Sequence, residues 1–208
     1  DWRLYAVYRM FTNQELERGG PGGQGLVLDH FNAQSLDLQL NQLESLLPTI
    51  HRFRSTTFLG FAADSLELED SNWSDDFLVE FQRRRGYDLT AYLPDLWDRF
   101  GPESNGVRQD FLETLSELML SRYFQHYTAW TRKHGLQTIV QSHGTIADVL
   151  AAYGAVDVPD VESMWPGSER LQVNLRSRRL GVSASHLYGK PRVTAESYTW
   201  LRMPRFLV

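Results

Sequence analysis

Three glutamates stand where chemistry is plausible. Glu67, Glu162 and Glu196 each lie just beyond an apolar run, far apart along the chain. A pair of carboxyl groups flanking a scissile bond is what glycoside hydrolysis requires. One stays protonated and gives its proton to the leaving oxygen, while the other activates water or attacks. A third acidic group suits a hard cation, which takes oxygen ligands. Other polar residues recur in the same kind of position: Asp64 before Glu67, then Gln141 and His143, and the run from Asp157 to Glu162. His143 and His186 are candidates for hydrogen bonds to sugar hydroxyls. Trp165 and Trp73 fall in loops, where a flat apolar ring either lines a sugar site or covers the core.

Simpler roles account for other conspicuous residues. A glutamate at a strand end is often a helix cap or a solvated charge. Glu69 and Asp70 read as surface charge, and Asp75-Asp76 as a helix start favoured by the macrodipole. His126 and His134 read as packed or surface histidines, and Trp130 as core. Arg83-Arg84-Arg85 before Gly86 reads as the end of a helix. No HxxxH or HExxH spacing indicates zinc, no GxSxG elbow supports a serine triad, and the glycines of 19–25 lack the spacing of a phosphate loop.

Positioning such residues calls for a sheet. Strands are expected at Tyr5–Phe11, Ser55–Ala63, Thr138–Gln141, Val156–Asp160 and Arg192–Ala195, from their β-branched and apolar content. Helices are expected between them. One is capped by Asn32 or Ser35 and stopped by Pro48, and one covers Phe77, Leu78 and Phe81. A short piece lies at Tyr92-Leu93-Pro94, and a long amphipathic helix runs over Val107–Lys133 and is ended by Gly135. Two more fall at Ile146–Tyr153 and Ser168–Leu187. This alternation predicts a parallel sheet wound with helices. No GxGxxG follows the first strand, which weakens a doubly wound nucleotide-binding sheet. Polar residues after successive strands are the habit of a (β/α)8 TIM barrel, α/β in class. A whole barrel takes about 250 residues. About five strands therefore predict that residues 1–208 are the N-terminal and central part of a barrel, lacking its last strands.

Composition narrows the classes. The 208 residues contain no cysteine, 42% apolar and 23% charged residues, and a net charge of −5. These values exclude a disordered chain and a disulfide scaffold, and the mild acidity argues against a nucleic-acid binder. No apolar run is long enough to span a bilayer.

Six motifs in order carry a resemblance. They are Asp64-Ser65-Leu66-Glu67; Phe81 with Arg84-Arg85-Gly86-Tyr87-Asp88-Leu89 and Tyr92-Leu93-Pro94; Gln141-Ser142-His143-Gly144; Asp157-Val158-Pro159-Asp160-Val161-Glu162; Ser185-His186-Leu187-Tyr188-Gly189-Lys190; and Ala195-Glu196-Ser197-Tyr198-Thr199. This series resembles glycoside hydrolase family 106, the α-L-rhamnosidases. The resemblance implies a (β/α)8 catalytic domain with extra β-rich domains, inverting hydrolysis and calcium dependence. It also implies a secreted or periplasmic setting. It implies Glu67 as general acid, Glu196 as general base, and Glu162 in the calcium and sugar site. The family usually carries Glu and Gly where this chain has Asp160 and Val161, a departure expected to alter loop shape. An inverting pair is expected to hold its carboxyls about 6.5–9.5 Å apart. Two alternatives stand beside this reading: a non-catalytic carbohydrate-binding relative, and a barrel glycosidase acting on another sugar.

Overall fold

The structure is a computed structural model that describes residues 2–16, 22–54, 56–98, 103–163 and 170–197, without the side chains of 163 and 170–177. Four parallel strands make one sheet: β1 (Gly60–Ala63), β2 (Gln137–Gln141), β3 (Val158–Ser163) and β4 (Thr194–Ser197). Their spatial order is β1-β2-β3-β4, the same as their order in sequence. A doubly wound sheet reverses direction at a switch point, and this one does not. Each crossover of a parallel sheet turns the same way. Steady progress therefore keeps the helices on one face and rolls the sheet toward the other, as in half of a barrel. Two expected outcomes are met, a helix-wound parallel sheet and an incomplete one; the full eight-fold closure lies beyond what four strands show.

The helices are α1 (Ala33–Glu44), α2 (Leu47–His51), α3 (Phe77–Arg85), α4 (Ser104–Met119), α5 (His126–Lys133), α6 (Val149–Ala155) and α7 (Arg170–Leu187). A 3₁₀ segment covers Leu89–Leu96. The Asn32 side chain caps α1 by accepting from the Gln34 N–H at 3.0 Å. Gly86 closes α3 in the left-handed region, φ 83°, where a side chain would be strained. The long amphipathic helix of the sequence is one rod from Ser104 to Lys133, interrupted by a π-helical turn at Leu120–Gln125. That turn lets both halves face inward, burying Leu115, Leu118, Met119, Phe124 and Tyr127. The core joins these to Phe31, Leu36, Phe77, Phe81 and Val140. Fully burying a residue such as Phe77 or Phe81 is worth roughly 1.5–3 kcal/mol. Behind β3, Gly181 of α7 meets Val161 so closely that an added Cβ would lie 2.3 Å from its Cγ1.

Several expectations are corrected. Tyr5–Phe11 forms no strand, and Tyr8, Met10 and Phe11 are exposed. Aromatic content suits a pleated surface only where a neighbouring strand exists, and in this region the described backbone pairs only at the isolated bridge Glu15–Leu26. The strand expected from Ser55 begins at Gly60, because the N–H groups of Thr56, Thr57 and Phe58 all turn back to the Phe53 carbonyl at 3.0 Å. Pro48 does not stop a helix but sits in the first turn of α2, where its missing N–H costs nothing. Strand β3 runs on to Ser163, three residues past its expected end at Asp160, so Val161 and Glu162 lie within a strand and not in a loop after it. The Arg83–Arg85 run ends α3 as expected, and two of its members do more. Arg84 and Arg85 donate to Glu117 at 2.8 and 2.9 Å, fastening α3 to α4. Trp73 packs on Phe77 at 4.6 Å between ring centres and so belongs to the core.

Candidate active site

Parallel register lines up the acidic residues. Glu162 of β3 is directly opposite Glu196 of β4, and Gln141 of β2 is opposite Asp160 of β3. Side chains two apart on a strand share a face, so Asp160 and Glu162 lie on the same side. Gln141, buried at the end of β2, confirms it by donating from Nε2 to Asp160 Oδ2 at 3.1 Å and to Glu196 Oε2 at 2.8 Å. Its own Oε1 is buried and finds no partner among the described residues. Glu162 is held by His143, whose Nε2 lies 3.2 Å from Glu162 Oε2 while Nδ1 lies 3.2 Å from the Tyr153 hydroxyl. Burial, the largest cause, pushes the Tyr153 hydroxyl well above its ordinary range, so that hydroxyl keeps its proton and can donate to His143 Nδ1.

Glu67 arrives from the other side. The chain leaves β1 at Ala63 and turns at Asp64, whose Oδ1 accepts from the Ser65 N–H at 2.8 Å. Glu67 then adopts a left-handed backbone, φ 42°. A cleft of about 280 Å³ is lined by Asp64, Ser65, Leu66 and Glu67 together with Glu162 and Glu196. Its far wall is Gln14, Glu15, Leu16 and Val27, from a short paired loop near the start of the chain. The three glutamates singled out in the sequence therefore share one cavity, although two of them, Glu162 and Glu196, sit within strands and not beyond them.

The remaining candidates divide. Asp64 lines the cleft; Gln141 and His143 adjoin it through their bonds to Glu196 and Glu162. His186 does not join them: it is exposed in the last turn of α7, the helix end that leads back to the start of β4 and so lies opposite the carboxyl ends of the strands. Trp165 lies outside the described residues. Asp160, the last residue of the expected fourth strand, joins the site through its bond from Gln141. Sequence reasoning misses three further contributors: Tyr153 is a core aromatic with a polar tip, and Gln14 and Glu15 lie in a segment with no periodic signal.

Calcium fits this site by the chemistry of its donors. Glu162 offers the oxygen donors that calcium takes, yet no group of three or more His, Asp or Glu among the described residues draws together tightly enough to hold an ion. Among those residues no helix is long and apolar enough to cross a membrane.

A family model for alpha-L-rhamnosidase, glycoside hydrolase family 106, matches residues 10–207. The chain belongs to this family. It is 27% identical over 204 residues to a protein of Formosa agariphila named as a beta-glucuronidase, a match covering 96% of this chain and 17% of that one. It also resembles the solved rhamnosidase of Novosphingobium sp. PP1Y, with a TM-score of 0.68 and 20% identity over 88% of this chain and 19% of that one. The last likeness establishes a shared fold. The family 106 chain described here spans less than a fifth of either relative's length.

Proposed function

We propose that this chain supplies the acid–base half of an inverting α-L-rhamnosidase site. The observation that supports it is the single cleft shared by Glu67, Glu162 and Glu196. In this reading Glu67 gives its proton to the glycosidic oxygen as the bond from that oxygen to the anomeric carbon breaks. Water adds to the opposite face of that carbon, and Glu196 takes a proton from the water. The product is the free sugar with inverted configuration and the released alcohol. Gln141, bonded to Glu196, fixes the direction of the base. Asp64, His143 and Gln141 are the sugar's hydrogen-bonding neighbours. Glu162 is proposed as one carboxylate of a calcium site, and calcium, when bound, would supply positive charge that fixes sugar hydroxyls.

The charge of the cleft favours a neutral sugar over a uronic acid. Asp64, Glu67, Glu162, Glu196 and Glu15 line it, and no Lys or Arg does so among the described residues. A substrate carboxylate would meet like charge from these side chains, with no side-chain cation among the described residues to offset it. This supports a rhamnoside over the glucuronide in the relative's name. In the full-length protein, Glu196→Gln is expected to abolish hydrolysis of aryl α-L-rhamnosides while leaving the thermal unfolding midpoint within a few degrees. Retained turnover would remove Glu196 from the mechanism, and binding of rhamnose with no turnover by the unaltered protein would favour the non-catalytic alternative.

A further inference from the structure

We propose that Gln14 is a positioning residue that holds Glu67 in its working orientation; this rests on the acid role given to Glu67 above. Glu67 has φ 42°, a backbone region that residues with side chains avoid. Its own neighbourhood does little to fix it there, since the nearby Asp64–Ser65 bond turns the chain two residues earlier. The restraint comes from a segment 53 residues upstream. Gln14 Nε2 donates to the Glu67 carbonyl at 2.8 Å, and Gln14 Oε1 accepts from the Glu69 N–H at 2.9 Å. One planar amide thus engages a carbonyl and the N–H two residues on, as the edge of a strand would.

Gln14 is itself anchored. Its carbonyl accepts from the Val27 N–H at 2.9 Å, and the Leu16 N–H donates to the Gly25 carbonyl at 3.0 Å. Asn13 beside it is also left-handed, φ 52°. The clamp therefore joins two irregular backbones, both of which line the cleft. Glutamine suits the position because it presents a donor and an acceptor on one rigid group. Glutamate lacks the donor, asparagine is one carbon shorter, and alanine has neither group. Gln14 moves no proton; it acts through Glu67.

The test uses leaving groups. An alkyl rhamnoside needs its departing oxygen protonated, whereas a 2,4-dinitrophenyl rhamnoside leaves as a stable anion and does not. Gln14→Ala in the full-length enzyme is expected to lower kcat on the alkyl substrate by about tenfold to a hundredfold, the scale of a small misplacement of a reacting group. The loss on the dinitrophenyl substrate is expected to be several times smaller, with KM little changed on both. Gln14→Glu, equal in length but without the donor, is expected to show the same contrast and serves if the alanine variant folds poorly. Glu67→Gln is the reference and is expected to show the contrast more strongly, about 10²–10⁴-fold on the alkyl substrate. Equal losses on both substrates, or none, in the Gln14 variants beside a contrast in Glu67→Gln would overturn the role of Gln14 and leave the acid assignment standing. No contrast in Glu67→Gln would overturn the acid assignment, and the role of Gln14 with it.

Discussion

Gln141 spans a strand to reach Glu196: its amide nitrogen donates at 2.8 Å to a carboxylate on β4 while β3 lies between them, and the same nitrogen donates to Asp160 at 3.1 Å. Two acidic groups on neighbouring strands are thereby tied together by one neutral donor.

Gln141→Leu keeps the bulk and removes the donor. Asp160 and Glu196 then lose a partner and repel one another. The variant is expected to lower kcat on an aryl rhamnoside by about tenfold to a hundredfold, in the range of a misdirected base. A stability loss of roughly 1–3 kcal/mol in urea unfolding is expected beside it, the cost of an unmade buried hydrogen bond. A kcat within a factor of two would exclude Gln141 from orienting Glu196.

Calcium dependence follows from the proposed part of Glu162. Incubation of the full-length protein with a chelator is expected to lower activity, and added calcium to restore it more fully than magnesium, which demands a stricter geometry. Glu162→Gln is expected to raise the calcium concentration needed for half-restoration. Indifference to the chelator would reject the metal.

His30 gives a stability prediction away from the cleft. It is buried, its ring packs on Tyr123 at 4.7 Å between centres, and its Nδ1 donates to the Leu28 carbonyl at 2.9 Å. Burial lowers its pKa to about 4. The unfolded chain therefore binds the proton more readily than the folded one. Stability from this group is complete above the ordinary histidine value of about 6.5 and is lost as pH falls toward 4, by an amount on the order of 3 kcal/mol. Neighbouring Asp29, raised chiefly by burial, works in the opposite sense within the carboxylate range. The difference between wild type and His30→Phe in urea midpoint across pH 4–7 isolates the histidine. The wild-type curve is expected to fall more steeply as acid is added; parallel curves would contradict this account.

The grouping of Glu67, Glu162 and Glu196 was legible in outline because each stands at or near the end of an apolar stretch, although two of them lie inside the strands, and parallel register then does the gathering. Less was legible where the decisive partner is distant. Tyr5–Phe11 has the composition of a strand, but composition carries no information about an absent neighbour. Thr56–Phe58 has the β-branched and aromatic content of a strand, yet its three N–H groups turn to the Phe53 carbonyl. His186 sits in a motif of the family and still lies at the wrong end of its helix, since a residue's distance from a strand does not say which end of the layer it reaches. Gln14 was out of reach for a different reason: its importance resides in a bond to a loop 53 residues away, which no local pattern announces.

The unbroken march of β1 to β4 has a bearing on how such a site can change. Each strand and its returning helix delivers its own contribution to the shared rim: Asp64 and Glu67 from the first, Gln141 and His143 from the second, Asp160 and Glu162 from the third, Glu196 from the fourth. Exchange of one such unit with a cousin would disturb more than its own residues, because Gln141 and His143 of the second unit hold Asp160, Glu162 and Glu196 of the next two; the second, third and fourth units can therefore change only in concert, whereas the first is free of those bonds.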